Sequence, residues 1–178
     1  MSRPLLPLLV LAATAAALEA QSANPLSAEA RWSYNSIKNN LLKLAEKMPA
    51  DKYSFRPVPE VETFARRIAH IADANMFVCS GLNGEQRRLG AASKTSKADL
   101  VAALKESFAY CDGVFDSLTD AKAVELVNSR LGGPFPPEPT RSRLATLYNL
   151  IRHSNEMYGY MAVYLRLNGV TPPTSAPE

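Results

Sequence analysis

The chain has 178 residues, 47% of them hydrophobic and 21% charged, and carries a formal net charge of +3. That length suits one domain with one sizeable core, and so small a charge, with arginine pairs such as Arg66 and Arg67 or Arg87 and Arg88 scattered along the chain, is solvated surface rather than a nucleic-acid footprint. The two cysteines, Cys79 and Cys111, lie too far apart for a C-x-x-C redox or zinc motif, and no phosphate-binding glycine loop or nucleophile elbow is present.

The N-terminal stretch MSRPLLPLLVLAATAAALEAQSANP has a basic residue at Arg3, an apolar run from Leu5 to Leu18 and small residues ending at Ala20. This is the pattern of a secretory signal peptide over residues 1–20, and the apolar run is shorter than the roughly 20 residues a spanning helix needs. The expectation is an exported protein, periplasmic or extracellular, with no integral membrane span after cleavage and a single domain over residues 21–178.

A first helix is predicted from Ser27, with Glu29 in its first turn and Trp32, Ile37, Leu41, Leu44 and Met48 recurring up to Pro49. Pro49, Pro57 and Pro59 make the next stretch an irregular connector. A second helix begins between Glu60 and Thr63, carries Phe64, Ile68, Ile71, Asn75, Val78 and Leu82 on one stripe, and stops near Gly81. The polar loop GLNGEQRRLGAASKT is long by the usual prior of about 4–6 residues, and so permits a crossover rather than a tight hairpin.

Ser96, with Asp99 three residues on, opens a third helix whose stripe is Leu100, Leu104, Phe108, Cys111 and Phe115. Thr119 caps a short extra helix, and GGPFPPEPT then breaks the chain. Thr140 is read as the cap of the longest helix, in which Leu144, Leu147, Ile151, Tyr158 and Leu165 share a stripe until Gly169, with Pro172 and Pro173 preventing resumption. Four amphipathic helices with no alternating strand pattern predict an all-α fold, a four-helix bundle with a long connection between helices two and three.

Export makes a Cys79–Cys111 disulfide a candidate, against the alternative of two buried thiols. At 1.5 Å rise per residue the two cysteines differ in height by less than about 10 Å if helices two and three are parallel, and by roughly 20 Å if they are antiparallel. A bridge would therefore require the parallel pairing of an up-down-down-up bundle.

His70 and His153 sit near the middles of helices two and four, at similar depth, where facing imidazoles could build a metal site. His153 aligns with Leu150, Met157, Tyr160 and Tyr164, whereas His70 lies between Arg66 and Asp73 on a polar arc, so a shared site would be an open cleft at the rim. Asp73 and Glu156 are the acids close enough in sequence to assist, and the tyrosine series on helix four reads as bundle packing.

The segments EKMPADKYSFRPVPEVETFARRIAHIADANMFVCSG and LYNLIRHSNEMYGYMAVYLRLNGVTPP resemble the DinB-like (YfiT-related) helical-bundle family, in particular its exported bacterial members. The likeness runs from Trp32 to Pro173, and its most specific pieces are AHIADAN and YG-(x)4-YLRLNGVTPP. The resemblance implies an up-down-down-up bundle and a divalent metal, often zinc or nickel, on three histidines: one in mid helix two and two spaced i, i+4 on helix four. His70 and His153 match the first two positions, and Met157 stands at the third. A thioether suits soft ions such as Cu(I) and replaces imidazole poorly on zinc or nickel. The resemblance thus implies a degenerate site, with water, Asp73 or Glu156 as substitute ligands and a copper site ranking below zinc or nickel.

Two functions follow from these residues. One is an exported divalent-metal-binding bundle, acting on an unidentified small molecule as a metal-assisted transferase or hydrolase if it is active. The other is a non-catalytic binding or envelope-stress module that has lost the metal. Bundles often pair, so a homodimer is compatible with either.

Overall fold

The computed structural model describes residues 24–128 and 140–175. The expected leader over residues 1–20 and most of the predicted proline and glycine break lie outside them.

Helix α1, Pro25–Lys47, opens with proline in its first turn, where the missing N–H costs nothing, two residues before the predicted start. The Ser27 hydroxyl does not cap α1; it donates to Asp120 Oδ1 at 2.7 Å and ties the start of α1 to a later helix. The buried face of α1 runs through Ala30, Tyr34, Ile37, Leu41 and Leu44. Trp32, predicted to share that face, is 75% exposed. Five residues before Ile37, it stands about 140° round the helix from it, and Tyr34 takes the inward place.

Helix α2, Phe64–Leu82, is capped by the Thr63 hydroxyl, which accepts from Arg66 N–H, and buries every residue of its predicted stripe. Helix α3, Lys97–Asp116, is capped by Ser96, which accepts from Asp99 N–H at 3.1 Å, and its predicted stripe is buried throughout. The short α4, Asp120–Ala123, is capped by Thr119 as expected.

Two three-residue strands, β1 Leu126–Asn128 and β2 Thr140–Ser142, then pair antiparallel with Val127 opposite Arg141. The sequence carries no strand signal here, because three residues are too few for an alternation to register. The pairing places Thr140 in β2, so Ser142 and not Thr140 caps α5, Arg143–Leu167, accepting from Ala145 N–H at 3.1 Å. Gly169 follows the end of α5 with φ +73°, letting Val170 N–H return to Leu165 O at 2.9 Å.

Contacts between helix ends set the directions. Lys97 Nζ at the start of α3 donates to the Glu46 and Met48 carbonyls at the end of α1. Arg143 at the start of α5 reaches Leu82 O at the end of α2, and Tyr164 near the end of α5 donates to Glu62 O just before α2. Lys47 and Thr171 bring the ends of α1 and α5 together. Helices α2 and α3 therefore run parallel, opposed to α1 and α5. A disulfide joins Cys79 to Cys111 at equal depth on that parallel pair, with their Cα atoms 5.3 Å apart.

Phe64, Phe108 and Phe115 are among the largest fully buried side chains, each contributing about 1.5–3 kcal/mol by burial. Tyr34 stacks on Phe115 with centroids 3.9 Å apart, and its hydroxyl lies 2.8 Å from Asp112 Oδ1. Burial, reinforced by Asp112, pushes this phenol far above its ordinary range. Among the described residues, no helix is long and apolar enough to cross a membrane.

Candidate functional site

His70 projects from the exposed arc of α2, one turn after Arg66, while His153 comes from α5 between Leu150 and Met157 and is half-buried. Because α2 and α5 run antiparallel side by side, the two imidazoles meet: Nε2 lies 2.9 Å from Nε2, with ring centroids 4.9 Å apart at 71°. A hydrogen bond between these atoms needs one N–H and one bare nitrogen, so at least one ring is neutral. Burial, and then the charge of His70, holds the His153 pKa below its ordinary value; Arg152 adds to this and Glu156 opposes it.

Met157, one turn beyond His153, is buried, and its Sδ accepts a hydrogen bond from Arg67 Nη1 at 3.7 Å. The same guanidinium donates through Nε to the Tyr164 hydroxyl at 3.2 Å and lies over the rings of Tyr160 and Tyr164, 4.7 and 5.6 Å from their centroids. Tyr164 is in turn fixed by donating to Glu62 O at 2.9 Å. Glu62, Arg66, Arg67, His70 and Met157 line a cleft of about 300 Å³.

Arg67 is the site residue that sequence reasoning missed, having counted it as scattered surface charge. The available signal was its position, three residues before His70 and next to the buried Ile68, at the edge of the apolar stripe. Tyr160, read as packing, is 45% exposed and serves instead as the platform under Arg67.

Neither proposed accessory acid joins the histidines. The two carboxylate oxygens of Asp73 accept from Ala91 and Ala92 N–H at 2.9 and 3.1 Å, anchoring the long α2–α3 connection. Glu156 accepts from the Tyr160 hydroxyl at 3.0 Å. Among the described residues, no three His, Cys, Asp or Glu side chains come together in a metal-holding group.

The fit to a divalent ion can be judged from these donors. Two imidazole nitrogens on a tetrahedral zinc, each at about 2.0–2.1 Å, would stand roughly 3.3 Å apart, so the observed 2.9 Å needs only a small opening of the pair. The third position does not fit. It offers a weak thioether donor already engaged by a guanidinium, whose positive charge opposes a dication and which forms no ion pair with a carboxylate among the described residues.

A model of the DinB superfamily matches residues 34–161, a span that includes His70, His153 and Met157. Among solved structures, the chain is similar to a DinB-like protein from Bacillus cereus ATCC 10987, at 20% identity and a TM-score of 0.63, covering 80% of this chain and 91% of that one. It is also similar to a conserved protein from Enterococcus faecalis, at 14% identity and a TM-score of 0.63, covering 79% and 95%. Identities this low speak for a shared fold and not for a shared reaction. No curated protein matches the chain.

Proposed function

The chain belongs to the DinB superfamily, and from that premise we propose an exported binding bundle in which the His70–His153 pair is the remnant of a divalent-metal site. In this reading the pair holds zinc or nickel weakly, and the cleft beside it takes a small molecule without metal-assisted catalysis. The observation that carries the reading is the Arg67 guanidinium 3.7 Å from Met157 Sδ. A guanidinium cation already engages the sulfur that would have to serve as the third ligand. The leader-like N-terminus supports export, and so does the Cys79–Cys111 disulfide, a bond that persists in oxidising compartments.

One observation favours the second reading, a metal-assisted transferase or hydrolase: the two Nε2 atoms already converge to 2.9 Å. A metal held there would supply Lewis acidity.

Metal content separates the two, measured on protein purified without chelator or affinity-tag metal and compared with Met157→His. Substoichiometric zinc or nickel in the natural protein and near-stoichiometric metal in Met157→His is the expected result. Near-stoichiometric metal in the natural protein, lost in His153→Ala, would overturn the remnant reading and favour the enzyme. Uptake restricted to Cu(I) would give the thioether a ligand's role. Low metal in both proteins would remove the histidine pair from any metal account.

A further inference from the structure

The charges around the cleft do not cancel. Arg66 is paired with Glu62, its Nε 3.7 Å from the carboxylate, and it also donates to Ala92 O. Arg67 has no carboxylate partner among the described residues. Its side-chain contacts are a phenol oxygen, a thioether and two aromatic faces, all neutral. Of the five N–H groups of a guanidinium, those two hydrogen bonds occupy two. The aromatic faces and the Tyr164 hydroxyl also hold the group in one orientation, so little freedom remains to be lost when a ligand binds.

We propose that this cleft is a carboxylate-binding site, in which Arg67 receives the carboxylate of a small monoanionic ligand whose body lies against Met157 and His70. The inference rests on the small-molecule-binding reading above and supplies its ligand class. With Nε–H given to Tyr164, a planar carboxylate would take two parallel hydrogen bonds from the N–H groups that remain on Nη1 and Nη2. A single cation in excess matches one negative charge, whereas a phosphate dianion would leave charge uncompensated in a cleft that also contains Glu62. The volume of about 300 Å³ is at the lower end for ligand pockets, which limits the body of the ligand to a few carbon atoms or one ring.

The test is a titration of metal-free protein with benzoate, with inorganic phosphate and chloride as comparisons, followed by NMR on arginine Nε–H signals. The expected result is a saturable shift of the Arg67 signal with benzoate, at lower concentration than with phosphate, and no saturation with chloride. Arg67→Gln should weaken benzoate binding roughly tenfold or more, the loss of a charge-assisted bidentate contact. Arg67→Lys keeps the charge, guards against a folding defect, and should recover only part of the affinity because it lacks the fork. Arg88→Gln, a cation resting on Phe77, should bind as the natural protein does.

Saturable binding that survives Arg67→Gln, or no saturable binding of benzoate, would overturn the assignment, as would preference for phosphate. Metal content of the same samples keeps the two readings apart. Failure of benzoate binding in metal-poor protein sinks the carboxylate site alone, whereas near-stoichiometric metal sinks the remnant reading.

Discussion

Replacing Cys79 and Cys111 together by alanine tests the parallel pairing of α2 and α3 that positions His70. The disulfide spans a sequence separation of 32 residues. In the chain-entropy account, closing a loop of that length removes about 12 cal/mol/K from the unfolded ensemble, or about 3.7 kcal/mol at room temperature. Both cysteines are wholly buried, so the vacated sulfur positions add a smaller packing loss. For a domain of this size each kcal/mol corresponds to roughly 2–4 °C, and the melting temperature should fall by about 8–15 °C. Thermal unfolding followed by circular dichroism gives the shift. The single variants make the test sharper, because either one breaks the link: Cys79→Ala, Cys111→Ala and the double variant should melt close together, a strong departure from additivity. A drop of only a degree or two in the double variant, additive single variants, or two free thiols titrating in unreduced protein would refute the reasoning.

Asp73→Ala should lose about 1–3 kcal/mol, seen as a lower urea midpoint, because it strands the Ala91 and Ala92 N–H groups. The loop between α2 and α3 should become protease-sensitive while metal uptake by Met157→His stays unchanged; a loss of uptake would return Asp73 to the ligand set. His153 predicts an acid-side loss of stability. Its folded pKa is depressed, so as pH falls below about 6.5 the unfolded chain takes a proton that the folded one resists, and stability declines until pH passes below the depressed value. His153→Gln should flatten that limb of the pH–stability profile, and a natural protein whose stability stays flat or rises on acidification through this range contradicts the burial of the ring.

The residues of α2 and α3 could be read in advance because their signals are local. Thr63, Ser96 and Thr119 each accept from an N–H three residues away, a bond that needs nothing beyond one helical turn. The stripes from Phe64 to Leu82 and from Leu100 to Phe115 repeat at helical spacing without a break. Where the pattern was looser, the neighbours decided. Trp32 and Tyr34 are both large and aromatic, and what turns Tyr34 inward is a place on Phe115 with Asp112 beside its hydroxyl. Thr140 and Ser142 are equally good caps, and a strand pairing with Asn128, remote in sequence, takes Thr140 out of the helix.

The site divides along the same line. The amino-acid sequence by itself determined that two histidines near mid-helix can sit at similar depth in an all-α bundle and that a methionine stands one turn after the second, since both follow from helical period and length. Only the tertiary structure decided that Arg67 lies on that methionine, that Asp73 serves a loop and that Glu156 serves a tyrosine. The first two contacts join residues on different elements, which packing alone brings together; Glu156 stands one turn from both His153 and Tyr160 on α5, so helical spacing offered both partners without choosing between them.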